Sequence, residues 1–139
     1  MKLLLLLAAA TLTLKDLPPA VQRTAQEQTK GAEIKGISKE TEDGKTHYEI
    51  ETMLNGKHRD LEIDTRGVLT EVEEETDAAS LPPAAKTAIS RKSMGGRVTR
   101  IETVTNGGGT VVAYEAEFID KNGRKREVRV KPDGTEVKD

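Results

Sequence analysis

Cysteine and tryptophan are both absent from the 139 residues, and Tyr48, Tyr114 and Phe118 are the only aromatics. Without cysteine there can be no disulfide, no iron–sulfur cluster, no thiolate zinc site, no acylated lipoprotein anchor and no thiol nucleophile. With so few aromatics, the core must be built from Ile, Val, Leu and Ala. There is little excess of either charge, since 22 basic residues stand against 24 acidic ones for a net charge of −2. That balance leaves no basic footprint for nucleic acid. Long apolar runs are missing too: the longest, Leu3 to Leu7 followed by Ala8-Ala9-Ala10, is too short to span a bilayer.

The start of the chain is nevertheless informative. Met1-Lys2, the leucine run and an Ala-x-Ala end follow the order of a secretory signal, shorter than most. This reading places the mature start near Thr11 and the protein in the periplasm or outside the cell, with no stable membrane insertion after processing. The alternative is a short apolar strand or helix end packed on the body.

What the chain does have is an internal echo. Leu17-Pro18-Pro19-Ala20 returns letter for letter as Leu81-Pro82-Pro83-Ala84, 64 positions on. Paired prolines fit the first turn of a helix, where the missing N–H costs nothing. Helix one is therefore expected from the prolines to about Lys30, with Val21 and Ala25 on its apolar stripe and Gly31 as its stop. Helix two starts at the second pair, buries Ala85, Ala88 and Ile89, and closes at Gly95-Gly96.

Each helix is followed by alternating apolar and polar residues punctuated by turn dipeptides. Strands are expected at about 33–41, 46–54, 57–64 and 68–73, with Asp43-Gly44 and Asn55-Gly56 as two-residue hairpin turns. Tyr48, Ile50 and Leu54 should face the helix, and His47, Glu49 and Glu51 should face water. Ile34 and Ile37 break the alternation, so a bulge is expected at Gly36; Val98 and Ile101 repeat the break 64 positions later. In the second half, Val112, Tyr114, Ala116 and Phe118 form one inward row and Val128 and Val130 another, before a short last strand around Glu136 and Val137. The expected fold is α+β: two tandem α-β-β-β-β repeats, each a helix on a four-stranded antiparallel meander, in one sheet or two abutting sheets. The boundaries are a leader and short segment at 1–14, repeat one at 15–75, an acidic linker at 76–80 and repeat two at 81–139.

Leu17-Pro18-Pro19-Ala20-Val21, Tyr48-Glu49-Ile50-Glu51 and Arg66-Gly67 in the first half resemble the PepSY-like family of exported bacterial proteins, also described as β-lactamase-inhibitor-like. Leu81-Pro82-Pro83-Ala84-Ala85, Tyr114-Glu115-Ala116-Glu117 and Asp133-Gly134 carry the same resemblance in the second half. It covers about residues 12–139 and implies an exported α/β repeat with a function in binding or inhibition and no catalytic motif. The secreted inhibitors behind that name carry cysteines and an aromatic-rich concave face, which this chain lacks.

Several chemistries can be weighed against solvated-surface readings. Glu49 and Glu51 stand roughly 6.6 Å apart on one strand face, a spacing usable for glycoside hydrolysis. No sugar-stacking aromatics accompany them, and the matching Glu115 and Glu117 favour an outward charged face. His47 and His58 flank the Asn55-Gly56 turn at different levels of the ladder, a poor arrangement for a shared metal. The acidic run from Glu73 lacks EF-hand spacing for calcium, and Arg124-Lys125-Arg126 has the acidic neighbours Asp120 and Glu127. The expected function is a non-enzymatic, exported binding module of the cell envelope that uses no cofactor or metal. It would engage a protein or peptide through the open sheet face or hairpin tips, with Glu49, Glu51, Glu115, Glu117 and Arg129 as candidate contacts. The alternatives are an inhibitor or regulator of a secreted peptidase or β-lactamase, and a small-ligand or metal carrier.

Overall fold

A computed structural model describes residues 12–138, so the signal-like start lies outside the described residues. Among the described residues the fold is α+β, with two α-helices and seven antiparallel strands. Its contacts divide it into two compact units. Among described residues the first comprises 12–74 with 106–108, and the second comprises 75–105 with 109–138.

In the first unit a 3₁₀ turn at Leu14–Asp16 leads into α1 (Pro19–Gln28), with Pro18 at the N-cap and Pro19 at the first helical position. Four strands follow in chain order: β1 (Glu33–Glu42), β2 (Lys45–Leu54), β3 (Lys57–Asp64) and β4 (Leu69–Thr76). Asp43 and Gly44, and then Asn55 and Gly56, all have positive φ, as two-residue hairpin turns require. Val21 and Ala25 of α1 bury against Ile37, Tyr48, Ile50, Leu61, Ile63 and Val72. The pairing of β1 with β2 slips between Ile34 and Gly36, which is the expected bulge. The slip brings Ile34 onto the core side with Ile37.

In the second unit a 3₁₀ turn at Ala78–Ser80 leads into α2 (Pro83–Lys92), then β5 (Arg97–Asn106), β6 (Val111–Ile119) and β7 (Lys125–Val130). Ala85 and Ile89 of α2 pack on Ile101, Ala116, Phe118, Val128 and Val130. Several devices recur at the 64-residue interval: the 3₁₀ turn, the Pro-Pro start, and a bulge, now between Val98 and Arg100. The helix ends match as well. Thr29 Oγ1 donates to the Ala25 carbonyl at 2.7 Å, and Ser93 Oγ donates to that of Ile89 at 2.8 Å.

Three expectations about the strands and their connections differ from what is found. Where a fourth strand was expected in the second half, there is a single bridge, Val130 to Glu136. Strand four, expected to end at about Glu73, runs on to Thr76, and the expected linker 76–80 holds the end of this strand and the 3₁₀ turn at Ala78–Ser80. Charge hid its strand character because β4 buries little beyond Val72. Val112, expected inward, is 40% exposed, because a second slip between Val104 and Thr105 leaves it opposite no residue of β5.

Candidate functional site

In each unit the strands have one face under the helix, and the candidate site is the opposite, outer face. In the first unit the register puts Ser38 of β1, Glu49 of β2, Glu62 of β3 and Glu71 of β4 in one row across the strands. Three glutamates therefore stand side by side, where directly opposed like charges destabilise a sheet. One level along, Glu40 pairs with His47, whose Nε2 lies 3.2 Å from Glu40 Oε2 and whose Nδ1 lies 3.7 Å from Glu62 Oε1. His47 is thus a buried partner of two carboxylates, not the water-facing residue that alternation implied. Glu51 is exposed and lies over Gly36, where an added Cβ would come within 3.3 Å of its Oε2. His58 pairs with Met53, six residues along β2 from His47 and so about 20 Å away. That separation excludes one ion shared by the two histidines.

In the second unit two rows of three cross β5, β6 and β7. One holds Glu102, Glu115 and Arg129, and the next holds Arg100, Glu117 and Glu127. Arg129 Nη2 lies 2.7 Å from Glu115 Oε2, and its Nε donates to the same oxygen at 2.8 Å. Arg100 bridges both rows, with Nε at 3.2 Å from Glu102 Oε1 and Nη2 at 2.8 Å from Glu117 Oε1. Glu102 and Glu115 are almost wholly buried. Glu115 was expected on a solvated face, but the long Arg129 side chain lies against it and balances its charge. Glu127 has its carboxyl pushed up to about 8, first by burial and then by the charge of Glu115, a hydrogen bond with Glu115 and the charge of Glu117; Arg129 opposes the shift.

The five candidate contacts thus fall into two groups. Glu115, Glu117 and Arg129 come together on neighbouring positions of β6 and β7, whereas Glu49 and Glu51 belong to the other unit. Sequence reasoning missed Glu62 and Glu71, which complete the first row, and Glu102, Arg100 and Glu127, which complete the second lattice. Alternation carried the signal for Glu127, since Val128 and Val130 face inward and Glu127 and Arg129 must then face out. For Arg100 and Glu102 the bulge shifts the parity, and without its exact place the face could not be assigned. The second unit also holds an open cleft of about 400 Å³ between α2 and the start of β5, floored by Leu81, Ile89, Val98 and Ile101. None of the five candidate contacts lines it.

No family model and no curated protein matches the chain. Solved structures do. A protein of Bacteroides eggerthii, provisionally labelled periplasmic, is 15% identical with a TM-score of 0.64, the match covering 88% of this chain and 86% of that one. A DUF2874 family protein of Bacteroides uniformis is 18% identical with a TM-score of 0.63, over 87% and 86%. A BLIP-like protein of Bacteroides fragilis is 17% identical with a TM-score of 0.55, over 88% and 84%. At these identities the likeness is one of fold. The chain shares the fold of these three proteins.

Proposed function

We propose that the protein is a non-enzymatic binding module of the bacterial envelope whose outer sheet faces engage a cationic protein or peptide. The observation that carries this reading is the row Glu49–Glu62–Glu71, three carboxylates aligned by strand register. A sheet selected for stability alone would alternate charge signs across its strands, and departures from such local rules concentrate at functional surfaces. Lysine or arginine side chains of a partner would be complementary in charge to this row. Glu49, Glu51, Glu62 and Glu117 are the contacts in this reading, while Arg129 neutralises the buried Glu115 and acts through it. Export is supported by the signal-like start and by the periplasmic label of the B. eggerthii neighbour. Among the described residues no helix is long and apolar enough to cross a membrane.

The test is a pull-down from the envelope fraction of the source organism with wild type and a Glu49→Gln, Glu51→Gln, Glu62→Gln, Glu117→Gln variant, at low and high salt. Basic proteins should be captured by wild type, lost at high salt and lost from the variant. Equal capture by both would remove the face from the account. Inhibition of a secreted hydrolase is the second reading, supported by the fold shared with the BLIP-like protein of B. fragilis, and unaffected peptidase and β-lactamase activity at saturating protein would eliminate it.

A further inference from the structure

The outer face of the second unit has more acid than its arginines can neutralise. Its two rows hold four carboxylates, from Glu102, Glu115, Glu117 and Glu127, against the guanidiniums of Arg100 and Arg129. Arg100 is taken up by Glu102 and Glu117, and Arg129 binds Glu115 with both Nε and Nη2. Glu127 sits opposite Glu117 across the β6–β7 ladder and one position along from the Glu115–Arg129 pair. Like charges that close in a half-buried place are relieved most cheaply by a proton, which turns one carboxylate into a donor to the other.

We propose that Glu115 and Glu127 share one proton that locks β7 onto β6, and that its loss in mildly alkaline medium loosens this edge and makes the face more negative. The proposal holds whether or not the face binds a cationic partner. The charged groups beside the pair on its own and neighbouring strands are these. From β5 come Arg100 and Glu102, and from β6 come Glu115 and Glu117. On β7 Arg129 and Lys125 share the face of Glu127 by alternation. The segment after β7 brings Glu136, whose carboxylate turns to Lys92 of α2 at 3.3 Å. Of these, Arg129 alone counters the upward push on Glu127.

The sign follows from linkage. Glu127 titrates near its ordinary 4.5 when unfolded and near 8 when folded. Its stabilising contribution is therefore complete below about 4.5, declines as pH rises and is gone above about 8. Two measurements test this. Carboxyl ¹³C shifts of glutamate-labelled wild type, followed from pH 4 to 10, should show one glutamate carboxyl of the 115, 117 and 127 group titrating with a midpoint above 7. The difference in Tm between Glu127→Gln and wild type should widen by several degrees from pH 5 to pH 9 in favour of the variant, because the amide needs no proton to donate. If all three carboxyls titrate below pH 6, or the Tm difference stays constant with pH, the shared proton is overturned.

Discussion

Single residues explain why the two repeated sequence motifs belong together. Gly67 has φ +86°, and a Cβ built on it would fall 2.6 Å from the carbonyl oxygen of Ala20, the last letter of the first Leu-Pro-Pro-Ala. Gly134 stands in the same relation to Ala84 of the second copy, at 2.7 Å and also with φ +86°. The helix start thus rests on the turn glycine, and Thr24 Oγ1 adds a 2.5 Å hydrogen bond to the Gly67 carbonyl in the first unit. Gly123 has a positive φ but nothing within 4 Å of its virtual Cβ. Alanine at Gly123 should therefore cost about 1 kcal/mol for its backbone conformation alone. Alanine at Gly67 or Gly134 should cost about 2–4 kcal/mol, since backbone must also move. Urea denaturation of the three variants checks this, and equal costs would contradict it. The arginines divide in the same way. Arg129→Ala leaves the buried Glu115 without its ion pair and should cost about 3 kcal/mol. Arg66→Ala removes a pair whose arginine side chain is 80% exposed and should cost under about 1 kcal/mol.

At the scale of elements, helices and turns were readable because each carries chemistry local to a few residues. Pro18-Pro19, Asn55-Gly56 and Asp43-Gly44 fix backbone angles by themselves, and all landed where expected. The bulge at Ile34–Gly36 was readable too, because its break in parity returned 64 positions later. The acidic end of β4 was not, since a strand of Glu71, Glu73, Glu74 and Glu75 has almost no apolar period. The charged lattice was hardest: register sets it, and register depends on where the slips fall. The row Glu49–Glu62–Glu71 makes a prediction at this scale. A double-mutant cycle with Glu62→Gln and Glu71→Gln should return a repulsive coupling of about 0.2–1 kcal/mol, measured by chemical denaturation. An attractive coupling would mean that the row is neutralised within the sheet.

For the molecule as a whole, opposing titrations shape stability against pH. The carboxyls of Asp64, Asp120 and Asp133 are held below the usual 3.8, chiefly by hydrogen bonds: from the Arg66 side chain to Asp64, the Arg124 amide to Asp120 and the Thr135 amide to Asp133. Their stabilising contribution is present above about pH 4 and is lost as pH falls through their lowered values. Glu127 works the other way, withdrawing support as pH rises toward 8. Thermal denaturation from pH 3 to 9 should accordingly give a Tm that peaks on the acid side of neutrality, and a peak at pH 8 or above would contradict this. The central claim, however, concerns what the outer faces bind. Its most direct test is the affinity of a lysine-rich peptide, followed by fluorescence anisotropy at physiological salt, for wild type and for the Glu49, Glu51, Glu62, Glu117→Gln variant. The account predicts at least about tenfold weaker binding to the variant, or ~1.4 kcal/mol, with a reversed-charge glutamate-rich peptide bound by neither; equal affinity of the lysine-rich peptide for both proteins would contradict it.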